Sequence, residues 1–314
     1  MKNELTAIVA AIRSQPWAIL PDYLEAIEAI ASRALDDDIL EKIAKDGHIE
    51  QVDASRMAIA SVGTRLEGAR LSTVRDGVAV IPVIGAIFPR SSMVTASTDG
   101  TSLDAVMRDL RVAEASADVH RVVMLFDSPG GVVSGLGEAA LAMRSFSKPL
   151  TAFVTGNAAS AAYWLASQAD EIVLEPAAAV GSIGVVASTS RQEAPDANGR
   201  RSYEIVSSGA PLKRPDPATD EGRAAIQTDI DAVEEVFIAD VAAGRKTTEA
   251  RVREDFGKGG MIAASRAVKF GMADRIGTLE ALLTEESGRT RPKKAERRAQ
   301  ASADIETRRA ALRS

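Results

Sequence analysis

Four short apolar segments separated by stretches with helical periodicity set the strongest limit on how this 314-residue chain can fold. The first is Val78-Ala79-Val80-Ile81-Pro82-Val83-Ile84-Gly85, followed by Arg121-Val122-Val123-Met124-Leu125-Phe126, the run from Pro149 to Val154, and Glu171-Ile172-Val173-Leu174. β-Branched runs of this length suit strands buried on both faces, and Pro82 pushes the first toward an edge or a bulge. Between them, Leu103 to Ala115 and residues 133 to 146 predict helices. Strand and helix alternate through residue 186, which predicts parallel βα units with reactive groups at the carboxyl ends of the strands. Further on, Tyr203-Glu204-Ile205-Val206 predicts another strand.

Flanking regions differ. Residues 1–60 predict an amino-terminal arm of two or three helices lying outside the chemistry, with apolar residues at 23, 24, 27 and 30 keeping a helical period. Residues 61–77 are polar and contain glycine, and are read as a linker to the main domain at 78–283. Residues 284–314 are expected to be a basic, mobile tail, in which nine Lys or Arg from 289 onward face three acidic residues, although the whole chain carries −6. A solvated terminus explains this tail; an arm contacting acidic protein or nucleic acid is the sharper reading.

Composition then removes whole classes of chemistry. With no cysteine, disulfides and thiolate catalysis are excluded. Only His48 and His120 supply imidazoles, so neither a metal nor a cofactor is expected. No apolar run has the length of a membrane span, and Leu5 to Ile12, running into Arg13, is read as an amphipathic helix and not a secretory signal.

The stretch from Gly156 to Ser167 carries the chemistry. Ser160 falls where a strand gives way to a helix, at free backbone N–H groups and the positive end of the dipole, and alanines around it let a substrate backbone approach. Taken alone, Ala-Ala-Ser-Ala is an ordinary helix start. Upstream, Asp127-Ser128-Pro129-Gly130-Gly131 ends the 121–126 strand in a turn whose N–H groups can face a ligand. Ser182 lies between Gly181 and Gly184 at another strand end, where its hydroxyl could orient a neighbouring group. A nucleophilic serine needs a base. No histidine follows Ser160, and His120 precedes its strand, which leaves lysine as the acceptor. An amine acting as base must be neutral, its pKa lowered from about 10.4 toward about 7 to 8, which disfavours the charged form by about 4 kcal/mol.

In this order and spacing, the Asp127–Gly131, Gly156–Tyr163 and Val180–Val185 motifs, followed by Ser208-Gly209-Ala210-Pro211-Leu212-Lys213, resemble the signal peptide peptidase A family of serine-lysine peptidases, family S49. Ala263 to Gly277 is similar to that family's closing helix and strand, and Lys213 follows Ser160 by 53 positions. The resemblance implies an α/β, Clp-protease/crotonase-like spiral of βα units that assembles into rings sharing site elements between subunits. It implies Ser160 as nucleophile, Lys213 as general base, and N–H groups around Gly130 or Gly131 and at Ala161 as the oxyanion hole. Ser182 would orient the lysine amine. Two positions depart from the pattern and bear on pocket shape: Ala161-Ala162 stands for the usual glycine pair, and Arg214-Pro215 follows the lysine.

The segment Gln15 to Pro21 is similar to the phage minor capsid protein C branch, the head-maturation proteases. That resemblance implies a serine endopeptidase of the host cytoplasm or the phage procapsid, acting on scaffold, portal or itself. The alternatives are a soluble bacterial signal-peptide or oligopeptide peptidase of the same family, and a capsid component that keeps the fold without activity.

Overall fold

The structure is a computed structural model describing residues 16–25, 27, 62–90, 100–189, 194, 195, 199, 201, 203 and 205–289. Its strands are β1 (Trp17–Ile19), β2 (Thr64–Arg65), β3 (Thr73–Arg75), β4 (Val78–Ile84), β5 (Ile87–Phe88), β6 (Thr101–Ser102), β7 (Arg121–Ser128), β8 (Gly130–Val132), β9 (Leu150–Ala159), β10 (Glu171–Leu174), β11 (Ala179–Gly181), β12 (Met261–Ala263) and β13 (Arg275–Ile276). The helices are α1 (Leu103–Ala115), α2 (Leu136–Arg144), α3 (Ala161–Ala166), α4 (Asp220–Gly244), α5 (Glu249–Asp255), α6 (Ala264–Phe270) and α7 (Leu279–Gly288).

The main sheet runs β12-β11-β9-β7-β4-β3-β2, with β10 beside the first half of β9 and β13 beyond β10. β4, β7, β9 and β11 are parallel, so the carboxyl ends of three of them gather Ser128, Ala159 and Gly181 along one rim. Apolar side chains leave both faces of this sheet. On one, α1, α2 and α3 cover Ile81, Met124, Phe126 and Val154. On the other, Leu282 and Leu283 of α7 cover Val80, Val123, Leu125 and Phe153. Double-sided burial explains why these strands are continuous apolar runs and not alternating ones. A smaller sheet, β1-β8-β5-β6, stands at the rim.

The parallel core follows the sequence closely, while three neighbouring segments differ from it. The expected linker supplies an antiparallel edge: β2 pairs with β3, and β3 with β4. Asp76 and Gly77, at φ 50° and 78°, close the β3–β4 hairpin in the type I′ manner that Asp-Gly favours. The loop before β3 is held by a residue far away in sequence, the buried Asp109 of α1, whose carboxylate accepts from the N–H groups of Arg70, Leu71 and Ser72 and from the Ser72 hydroxyl.

Within the arm, residues 21–25 are helical as expected, but Trp17–Ile19 is a buried strand paired with the Gly130–Val132 strand. The arm therefore touches the glycine pair that the resemblance assigns to the oxyanion hole, whereas the sequence reading places it apart. Residues 284–288, expected to begin the mobile tail, instead complete α7, with Glu286 buried; the rest of the arm, His48 and the chain from residue 290 fall outside the described residues. At 203–206 no strand forms among the described residues: Tyr203 and Ile205 are 78% and 95% exposed. Strand propensity without a ladder partner leaves the backbone to water. Helix α2 is shorter than the expected 133–146, because Gly135 at φ 88° turns the chain just before it.

α3 is gripped from the side by α4. Trp164 stacks on Phe237 with ring centroids 4.5 Å apart, and its indole N–H donates to Asp240 at 2.9 Å. Asp240, fully buried, also pairs with Arg144 of α2 at 3.4 Å. Asp240→Ala strips an acceptor from two buried donors and is expected to cost about 3 kcal/mol, read as a lower urea midpoint at unchanged m-value. From the other side the Tyr163 hydroxyl donates to the Met272 carbonyl at 3.0 Å, and burial pushes the phenol well above its usual range, keeping it a donor.

The closing segment is pinned by Asp274, which accepts from Arg245 at 2.8 and 3.1 Å and from the Ile172 N–H at 2.7 Å. Burial alone would raise this carboxyl's pKa; the Arg245 guanidinium and the Ile172 N–H overcome it and hold the pKa below the ordinary value. Since the folded pKa is the lower one, the stabilisation is complete above the unfolded value near 4 and is lost as pH falls through the folded value. Unfolding midpoints measured downward from pH 6 are expected to fall more steeply for the wild type than for Asp274→Asn.

At the opposite rim, α7 is locked by Glu286, 1% exposed, to Arg121 at the first residue of β7, 3.0 Å away.

Candidate active site

Ser160 occupies the turn between β9 and α3 with φ 53° and ψ −116°, a conformation that L-residues rarely adopt and that costs on the order of 1–3 kcal/mol. The surrounding hydrogen bonds hold it there. Its N–H donates to the Gly181 carbonyl at 2.7 Å, and its carbonyl accepts from Trp164 N–H at 2.9 Å. The hydroxyl makes a long contact to the Gly184 carbonyl at 3.4 Å. Ala158, Ala159, Ala161 and Ala162 are wholly buried around it, which fixes the turn from every side. A sharp strand-to-helix turn of this kind presents a serine Oγ at a sheet rim, as in hydrolase nucleophile turns.

The approach to that turn is shaped by a bulge. β7 and β9 are in register from Val122–Leu150 to Phe126–Val154, and then Ser128 faces Ala158, so Asp127 alone spans three residues of β9. Its carboxylate accepts from the Asn157 N–H at 3.0 Å, and a Cβ on Gly156 would lie 2.5 Å from it. Asp127 thus sets where β9 delivers Ser160.

Gly130, at φ 104°, lies beside Ser160: a Cβ there would sit 3.0 Å from the Ala159 carbonyl oxygen and 2.2 Å from that of Ala18. Its N–H donates to Ser128 Oγ at 3.2 Å. Gly131 abuts β5, with its Cβ position 2.0 Å from the Ile87 carbonyl oxygen. Ala161 is the first residue of α3, so its N–H has no carbonyl four residues back within the helix to meet. Ser182, 8% exposed and at φ 53°, donates its N–H to Gly260 O at 3.0 Å and lies between the two residues whose carbonyls meet Ser160.

The rim therefore brings together Ser160, Gly130, Gly131, Ala161 and Ser182. Lys213 ends an exposed 3-10 turn at Pro211–Lys213. Among the described residues its amine forms no hydrogen bond or ion pair. The structure adds neighbours that the sequence did not mark. Besides Asp127 and β1, Glu234 of α4 comes within 3.7 Å of the Cβ position at Gly184. No group of three His, Asp or Glu suited to a metal occurs among the described residues.

Residues 81–180 match the Clp protease family model, and residues 142–289 match that of peptidase family S49. The S49 region holds Ser160, Ser182 and Lys213, while the Clp match runs from within β4 to within β11 and covers the glycine pair. Two phage proteins are similar to the chain. Capsid assembly protease C of Escherichia phage lambda is 23% identical over 87% of this chain and 63% of its own length. Head-tail preconnector protein GP5 of Enterobacteria phage P21 is 28% identical over 60% of this chain and 38% of its own. A bacterial relative, Protease 4 of Haemophilus influenzae, is 25% identical over 65% of this chain and 33% of its own length. The chain thus spans under two thirds of the length of each. Among the described residues no helix is long and apolar enough to cross a membrane.

Proposed function

We propose that the chain is a serine endopeptidase in which Ser160 is the nucleophile and Lys213 the general base. The observation that carries this reading is the strained turn at Ser160, which four wholly buried alanines and three backbone contacts maintain. Strain is retained where a position serves chemistry. Ser160 Oγ attacks the scissile carbonyl, its proton passes to the Lys213 amine, and that proton later goes to the leaving amine. The Ala161 N–H and the Gly130 N–H, released from Ser128, receive the developing oxyanion. Ser182 Oγ accepts from the lysine and aims its lone pair.

The exposed position of Lys213 fits a base that serves a neighbouring copy. Leu212 is 55% exposed beside it, and along residues 220–236 of α4 the described side chains are mostly exposed or half-buried. A ring of copies covers these surfaces and brings a partner's Lys213 to each Ser160. Given the capsid assembly protease and preconnector relatives, the substrates are phage scaffold or portal proteins, or the chain itself, in the host cell or the procapsid.

The test is complementation. Ser160→Ala and Lys213→Ala are each expected to be inactive when co-expressed with the neighbouring scaffold and portal proteins, and a mixture of the two to recover part of the cleavage. Cleavage persisting in either single variant overturns the assignment; two inactive variants that never complement restrict the dyad to one subunit.

A further inference from the structure

β1 has two hydrogen-bonded sides. Along one it runs antiparallel to β8, with Trp17, Ala18 and Ile19 opposite Val132, Gly131 and Gly130. The bonds from Leu20 N–H to Pro129 O at 2.9 Å and from Val133 N–H to Pro16 O at 3.4 Å fix the alternation, which makes Ala18 and Gly131 a pair that exchanges both bonds. Along the other, Trp17 exchanges bonds with Val186, at 2.9 Å from its N–H and 2.8 Å to its carbonyl. Each flanking segment touches the nucleophile: Gly130 abuts Ala159, and Gly184, two residues before Val186, accepts from Ser160 Oγ.

An extended polypeptide presented to Ser160 has few ways to satisfy its backbone. The two segments bordering the nucleophile offer N–H and C=O groups to a strand laid between them, and strand addition of this kind supplies affinity through the main chain. That lane is already filled. Trp17 and Ile19 anchor the occupant by burying into a cluster of their own with Leu24, Ile27, Ala86, Phe88 and Val132, Trp17 meeting Phe88 edge-on at 6.1 Å. Ala18 points the other way, into the main core, while its carbonyl comes so close to Gly130 that a side chain there would meet it.

Resting on the peptidase reading above, we propose that Trp17–Ile19 is an intramolecular stand-in for substrate, holding the peptide groove closed until the strand is displaced. The chain as folded is then latent, and extended peptides enter only in competition with its own amino-terminal segment.

The absence of native cysteine permits a reversible test. Trp17 and Val132 face each other as a non-hydrogen-bonded antiparallel pair, the closer of the two ladder spacings and one that a disulfide can bridge. In a Ser160→Ala background, which reads occupancy without turnover, a Trp17→Cys/Val132→Cys chain is oxidised or reduced and titrated with a dye-labelled peptide of residues 14–21. The reduced form, whose strand has lost its indole anchor, is expected to bind at least tenfold more tightly than the oxidised form, with the Val186 amide protected from exchange on binding. Equal affinity in the two redox states, or failure of the disulfide to form under oxidant, overturns the proposal. With Ser160 restored, labelling by a small serine-reactive phosphonate reports separately on the nucleophile. Redox-gated binding without labelling would remove the peptidase reading and leave the occupied groove standing.

Discussion

Ser160→Ala is expected to abolish cleavage, by a factor on the order of 10³–10⁶, while leaving the fold intact or slightly stabilised. The first half follows from the loss of the attacking oxygen, whose removal leaves only binding and oxyanion contacts to assist water. The second follows from the backbone, since the hydroxyl contributes a single long contact at 3.4 Å. A sharper version is Ser160→Gly. Glycine adopts φ 53° without the penalty a side chain carries, so this variant is expected to be equally inactive yet more stable by about 1 kcal/mol. Rising Tm with vanishing activity is the signature of a position kept strained for function. A Ser160→Gly chain less stable than the wild type would show that the turn carries no strain.

Gly131→Ala is expected to be the most destabilising single-methyl change in the rim. The added Cβ meets the Ile87 carbonyl oxygen at 2.0 Å and its carbon and Cα at 2.7 Å, all of them backbone. No rotamer change relieves contacts of that kind, so β5 and β8 must part, exposing Ile87 and Phe88. A cost of about 3 kcal/mol or more follows, a Tm lower by roughly 6–10 °C for a domain of this size. Activity falls too, because β8 carries the Gly130 N–H. Gly137→Ala makes the control: its Cβ would meet nothing within 4 Å, and it lies inside α2, where alanine is the better helix former.

The parallel core and the glycine and serine turns were legible because local signals and burial coincide there. Val78–Ile84 and Glu171–Leu174 are apolar on both faces, and both bounds of α1 agree with its helical period. What escaped depends on partners distant in sequence. Asp109 makes a sheet edge out of a polar loop 37 to 39 residues upstream, and nothing within that loop announces it. Trp17-Ala18-Ile19 becomes a strand because β8 and Val186 accept it, a fact that no period in the arm encodes. The Asp76-Gly77 turn was readable, and a linker reading of polar residues passed over it. The reverse error, a strand at 203–206, came from propensity that no edge among the described residues satisfies. Of the candidate site, Ser160, Gly130 and Ser182 stand at turns that local glycines and small residues announce, while Lys213 ends an exposed 3-10 turn that no local period marks.

The clasp between Glu286 and Arg121 has a bearing on any processing beyond it. It fastens the end of α7 to the rim where β7 begins, whereas Ser160 lies where the neighbouring parallel strand ends. Eight residues of β7 separate these rims, roughly 25 Å at the usual rise. Chain continuing past Arg289 must run on the order of eight residues, fully extended, before it can return to its own hydroxyl. A cut nearer the clasp is beyond the tether of the molecule that bears it, and only a second molecule can make it.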